Sequence, residues 1–174
     1  MKALFKISSL IILISLITLS ACKKDETYEN SDAWVASVQE KIPVIRTEQL
    51  KVKIDSMEMF YLIDVREAIE HYHGFIPGSI NIPGGSLPFK MGNDTFWEDE
   101  FLYKPEKSDL IIVYCKKGKR SVLAAEALQK LGYKNIFFLD GGFKKWELSY
   151  PNEYETKLDM LNHGGEEKGE TGGC

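Results

Sequence analysis

Short apolar runs alternate with amphipathic stretches along most of the chain. Val44-Ile45, Tyr61 to Val65, Ser79 to Ile82, Leu110 to Tyr114 and Ile136 to Leu139 are each bounded by polar or glycine-containing segments, and several are rich in β-branched or aromatic residues. Runs this short and of this composition predict strands. Several lack the polar alternation of a strand with one wet face, which points to a sheet covered on both sides and therefore to parallel pairing. Helical patterns lie between them, from about Thr47 to Ile54, Glu67 to Tyr72, Ser121 to Leu131 and Phe143 to Leu148. In the third, Leu123, Ala124, Ala127, Leu128 and Leu131 share one predicted face, and Gly132 stands where a helix would stop. The order βαβα predicts an α/β domain with a mostly parallel five-stranded sheet flanked by helices.

The first 21 residues follow a different pattern. Lys2 and Lys6 precede a nearly unbroken apolar stretch from Ile7 to Leu19, and small residues follow at Ser20-Ala21. This is the layout of an export signal, and the apolar stretch is short for a membrane span. Leu19-Ser20-Ala21-Cys22 resembles the lipobox of bacterial lipoproteins, in which the cysteine is acylated and becomes the mature N-terminus. The chain is thus expected to divide into a signal over 1–21, lipidated Cys22 with a polar tether over 22–41, the α/β domain over 42–151 and an extension over 152–174. The glycine- and glutamate-rich segment from about His163 has too little apolar surface to repay ordering and is expected to be flexible. Acylation would place the domain in the bacterial cell envelope, on the extracytoplasmic side.

Composition narrows the function. The 174 residues are 44% hydrophobic and 28% charged, enough for one domain with a real core. Formal net charge is −4 and becomes −6 once Lys2 and Lys6 are removed with the signal. That balance argues against nucleic acid as partner, because a phosphate binder carries a basic face. With Cys22 acylated, only Cys115 and Cys174 remain, so no disulfide framework supports the fold. His71, His73 and His163 lack ligand spacing, and no metal or organic cofactor is expected.

Against this acidic background, Tyr114-Cys115-Lys116-Lys117-Gly118-Lys119-Arg120-Ser121 stands out. The segment leads from the carboxyl end of a predicted strand into the amino end of a predicted helix, the edge where open α/β sheets bind ligands. A helix N-terminus and four cations are the setting of a reactive cysteine. Cys115 is therefore the candidate nucleophile. Lys116, Lys117, Gly118, Lys119, Arg120 and Ser121 are the candidate substrate-binding residues. Asp64 and Arg66, at another strand end, are read as an ion pair bracing the loop.

Three stretches together resemble the rhodanese-domain sulfurtransferases. They are Cys115-x-x-Gly118-x-Arg120-Ser121; Asp64-Val65-Arg66-Glu67 with Glu70 and Gly74-Phe75-Ile76-Pro77-Gly78-Ser79-Ile80-Asn81-Ile82-Pro83; and Leu139-Asp140-Gly141-Gly142-Phe143-x-x-Trp146. They span roughly Ile42 to Pro151 in the family's order, and the loop looks most like that of single-domain thiosulfate sulfurtransferases. The family commonly has Gly-His-Ile where this chain has Gly74-Phe75-Ile76. The resemblance implies that Cys115 takes sulfane sulfur from thiosulfate or a related small anion. It would hold the sulfur as a persulfide and pass it to cyanide, a thiol or a thioredoxin-like acceptor.

Two other readings stay open. A catalytically silent sensor or protein-binding module would use the fold without the chemistry. A cysteine phosphatase also closes a cysteine loop with arginine, but over five intervening residues, whereas only Lys116 to Lys119 intervene here. Trp146 is read as core packing, and Trp97 with Phe96 and Phe101 as a flap or satellite cluster. Cys174 is either an incidental thiol or one that sweeps back to Cys115.

Overall fold

The structure, a computed structural model, describes residues 26–161. The signal, Cys22, and the tail from His163 with Cys174 lie outside the described residues. Five strands form one sheet: β1 (Val44–Ile45), β2 (Tyr61–Asp64), β3 (Ser79–Asn81), β4 (Leu110–Tyr114) and β5 (Asn135–Leu139). All pairings are parallel and the order is β1-β5-β4-β2-β3. The helices are α1 (Ser31–Gln39), α2 (Thr47–Asp55), α3 (Ala68–Tyr72), α4 (Leu87–Lys90), α5 (Asp94–Asp99), α6 (Lys119–Lys130) and α7 (Gly142–Ser149), followed by a 3₁₀ turn over Leu158–Leu161.

This order explains where a site can form. From β2 the chain moves outward to β3, and from β4 it moves the other way to β5, so the crevice at the carboxyl ends of β2 and β4 is the switch point of the sheet. β2 delivers Asp64 and Arg66 there, and β4 delivers Cys115. Successive side chains of β4 alternate between two cores. Ile111, Val113 and Cys115 join one cluster with α6, whereas Ile112 and Tyr114 join the other with Leu50, Phe143 and Trp146. Both faces are covered, which is why the strands read as unbroken apolar runs.

The structure differs from the sequence reading in several places, among them α4 and α5, which lie in a stretch where the pattern predicts no helix. Residues 31–39 are a helix rather than tether: Asn30 caps α1 through its side chain, and Val35 and Val38 are buried in the cluster that contains Val122 and Leu128 of α6. This second cover also turns the buried face of α6. Val122, Ala124, Ala125 and Leu128 are buried, whereas Leu131 is exposed. Trp97 belongs to the main core rather than a satellite, with Phe96 packed against it, while Phe101 is 96% exposed. Trp146 packs in the core as expected.

Candidate active site

The loop after β4 is held from two sides. Gly118 lies at φ 103°, ψ −34°, on the left-handed side that favours glycine, and it turns the chain into α6. Its N–H donates to Cys115 Sγ at 3.2 Å. Its carbonyl accepts from the Ser121 hydroxyl at 2.8 Å and from the Val122 N–H at 3.1 Å. From the other side comes α7, which has no side-chain cap. Its first N–H groups would be orphans in an ordinary helix. Here Phe143 N–H donates to the Cys115 carbonyl at 2.8 Å and Lys144 N–H to the Lys116 carbonyl at 2.9 Å. With these carbonyls drawn toward α7, the Gly118 N–H is left to point at the sulfur.

This grip requires close approach, and it accounts for Gly141-Gly142 in the sequence. Both have positive φ, 70° and 58°. A Cβ on Gly142 would stand 2.2 Å from the Cys115 carbonyl oxygen. Gly142→Ala is therefore expected to push α7 off the loop, with a lower Tm and impaired chemistry at Cys115. The left-handed backbone alone costs an alanine about 1–2 kcal/mol. Thermal unfolding compared with wild type checks this; an unchanged Tm would mean that the close approach carries no weight.

The candidate residues separate into distinct roles. Lys116 and Lys117 are exposed at the rim. Lys119 turns to Asp32 of α1, at 2.8 Å. Arg120 makes a two-pronged ion pair with Glu70, at 2.6 and 2.8 Å. The hydrogen bond from Arg120 holds the Glu70 carboxyl below its ordinary value. The hydrogen bond to Glu70 in turn raises the Arg120 guanidinium, and proximity to Cys115 adds to this. Ser121 is fully buried and its hydroxyl is committed to Gly118, so its position is that of a brace rather than a substrate contact. Cys115 is itself 2% exposed. The sulfur thus sits inside a cationic rim rather than upon it.

Asp64 and Arg66 form a buried ion pair, as the sequence reading expects, and its further hydrogen bonds run to Gly74 and His71. Arg66 Nε donates to both carboxylate oxygens, at 2.9 and 3.0 Å. The sequence reading missed the third member, His71. Its Nδ1 lies 2.9 Å from Asp64 Oδ2, and its ring stacks on Phe75 with centroids 4.1 Å apart. His71 stands seven residues from Asp64, on the short helix that folds back over the end of β2, and only the fold brings the two together. Burial alone would raise the Asp64 carboxyl, but the hydrogen bonds from His71 and Arg66 outweigh it and hold the group below its ordinary value. Phe75, where the family commonly has histidine, is the stacking partner of this imidazole.

A cleft of about 330 Å³ opens beside the loop, lined by Arg66, Glu70, Gly74, Lys116, Phe143 and Lys144 among others. It begins one residue along the chain from Cys115, whose sulfur is sheltered beneath the loop.

Comparison with known proteins agrees with this geometry. The family model of the Rhodanese-like domain matches residues 46–149, well over half of the chain. A protein of Schizosaccharomyces pombe named "Putative thiosulfate sulfurtransferase, mitochondrial" is 40% identical over 87 residues, covering 49% of this chain and 61% of its own length. The Bacillus subtilis protein named "Putative sulfurtransferase YtwF" is 36% identical over 107 residues, covering 62% of this chain and 92% of its own. The solved structure of the human single-domain sulfurtransferase TSTD1 superposes with a TM-score of 0.57 at 28% identity, covering 62% of this chain and 96% of that one. The matched span runs from Arg46, just ahead of α2, to the end of α7 and takes in the loop, the buried Asp64–Arg66 pair and the glycine turn that grips the loop, so this chain belongs to the rhodanese-like domain family.

Proposed function

We propose that the protein is a sulfurtransferase that carries sulfane sulfur on Cys115. The observation that supports this most directly is the placement of the thiol. A single cysteine ends the strand at the switch point, accepts a hydrogen bond from the Gly118 N–H, and lies within a cationic rim. The names of the relatives point the same way.

In the first half-reaction the Cys115 thiolate attacks the outer sulfur of thiosulfate. A sulfur–sulfur bond forms to Cys115 as the one to the sulfonate group breaks, and sulfite leaves with the electron pair. In the second, an acceptor thiolate or cyanide attacks the terminal persulfide sulfur and Cys115 leaves as thiolate. Donor, persulfide and leaving group are all anionic, so Lys116, Lys117 and the Gly118 N–H act throughout, in binding and in stabilising the charge that develops. Arg120 is engaged with Glu70 rather than free to clasp a phosphoryl group, and the loop is one residue shorter than a phosphatase loop. Both features favour sulfur over phosphorus.

Mass spectrometry of the purified protein after incubation with thiosulfate tests the proposal: one added sulfur on the peptide containing Cys115 is expected. Because Lys116 and Lys117 are exposed, added salt should raise the KM for thiosulfate without a matching fall in kcat. Absence of the added sulfur would leave the silent binding module as the better reading.

The lipobox-like Leu19 to Cys22 adds a location to this proposal. Acylated Cys22 would carry two or more chains, enough for stable anchoring where one chain is marginal, and would hold the domain at an extracytoplasmic membrane surface. Cys22→Ala is expected to move the protein from washed membranes to the soluble fraction. A variant that stays with the membranes would show another anchor.

A further inference from the structure

Arg66 is 3% exposed and yet lines the cleft beside the loop. A guanidinium carries five N–H donors in a fixed fork. Nε is satisfied by Asp64, and the two donors of Nη2 go to Asp64 Oδ2 and, at 2.7 Å, to the Gly74 carbonyl. Nη1 has no acceptor among the described residues. Nor is it sealed away: the described side-chain atoms that are both sealed and unpartnered are Thr47 Oγ1 and Trp97 Nε1. The Tyr114 hydroxyl, already paired with the Ile76 N–H and Ser79 Oγ, has room to accept at most one of the two Nη1 donors. At least one N–H of Nη1 is therefore left to the cleft that Arg66 lines.

The group is also fixed in place. Phe143 stacks against it with the ring centroid 4.4 Å from Cζ, and Tyr114 lies at 5.6 Å. Lys116 and Lys144 line the same cleft. The acids there are Glu70, already held by Arg120, and Glu147, so cations outnumber free carboxylates. A buried, pre-oriented fork with an open donor, flanked by two lysines, is the arrangement that recognises a planar or tetrahedral oxyanion.

We propose that Arg66 Nη1, with Lys116 and Lys144, forms an oxyanion-binding subsite beside the nucleophile, separate from the Gly118 N–H that serves the sulfur itself. It would seat the sulfonate group of a donor or the carboxylate of an acceptor thiol while the sulfur atoms meet at Cys115. The identity of the ligand rests on the sulfur-transfer reading; the anion site does not.

The test uses the Cys115→Ser protein, which cannot turn over, titrated with sodium sulfate and followed by NMR. Saturable shifts are expected at the amides of Gly74, Phe143 and Lys144 and at the Arg66 side-chain Nε–H. Lys144→Gln, an exposed change that spares the core, should weaken sulfate binding several-fold. Arg66→Lys, used only if its Tm shows a folded protein, should weaken it further. In turnover, a Lys144→Gln variant with raised KM for thiosulfate when cyanide is acceptor assigns the subsite to the donor. A raised KM for mercaptoacetate but not for 2-mercaptoethanol assigns it to the acceptor. Either result supports the subsite. Absence of saturable shifts, or equal sulfate binding with and without Lys144, overturns it. A wild-type protein that binds sulfate here yet forms no persulfide leaves the subsite standing and overturns sulfur transfer.

Discussion

Cys115→Ser is expected to abolish sulfur transfer while leaving the fold intact. The substitution exchanges a sulfur for an oxygen of similar shape at a site that is 2% exposed, and the Gly118 N–H can still donate to it. The hydroxyl, however, is not ionised near neutral pH and cannot carry sulfane sulfur. No other described cysteine can substitute, since Cys115 is the one free thiol among the described residues. Turnover with thiosulfate and cyanide should fall to the uncatalysed background, the added sulfur in the mass spectrum should disappear, and Tm should stay within a few degrees of wild type. Residual persulfide in this variant would have to reside on Cys22 or Cys174. Undiminished turnover would end the proposal that Cys115 is the nucleophile.

How far the sequence revealed this site depends on the distance over which each contact acts. The strands were legible because a sheet covered on both faces needs apolar residues at nearly every position, as in Leu110-Ile111-Ile112-Val113. The loop was legible because a strand end, a glycine and a helix start are consecutive in the chain. The helix α1 was not, since Val35 and Val38 are its only buried residues and the remainder reads as polar tether. Their burial depends on α6, more than eighty residues later in the chain. Ser121 reads as substrate-binding because it belongs to the loop motif, yet its position on α6 turns the hydroxyl back to Gly118. Likewise the run of four cations gave their number but not their commitments: Asp32 takes Lys119 and Glu70 takes Arg120, each through a contact that no local spacing encodes. His71 is the clearest case. Its neighbours in sequence are polar or charged, and only the return of α3 over β2 makes it a buried partner of Asp64.

That buried cluster carries the second large effect. Asp64→Ala would leave the Arg66 guanidinium almost wholly enclosed without its counter-charge and remove the acceptor of His71 as well. Breaking one side of a buried pair costs about 3–5 kcal/mol, because the partner's desolvation is no longer offset. For a domain of this size the expected fall in Tm is roughly 10 °C or more. The pH dependence follows from the sign of the shift. The Asp64 carboxyl is held below its ordinary value in the folded protein. Its contribution is therefore complete above the unfolded value of about 3.9 and is lost as pH falls through the lower folded value. Wild type should lose this stability on acidification across that window, whereas Asp64→Asn, which has no charge to lose, should show a shallower acid transition. Removing both charges separates the loss of the pair from the cost of leaving one charge buried alone: Asp64→Ala combined with Arg66→Met is expected to be more stable than Asp64→Ala alone. A single Asp64→Ala variant that unfolds within 1 kcal/mol of wild type would show that Arg66 finds another partner and that the ion pair is not needed for stability.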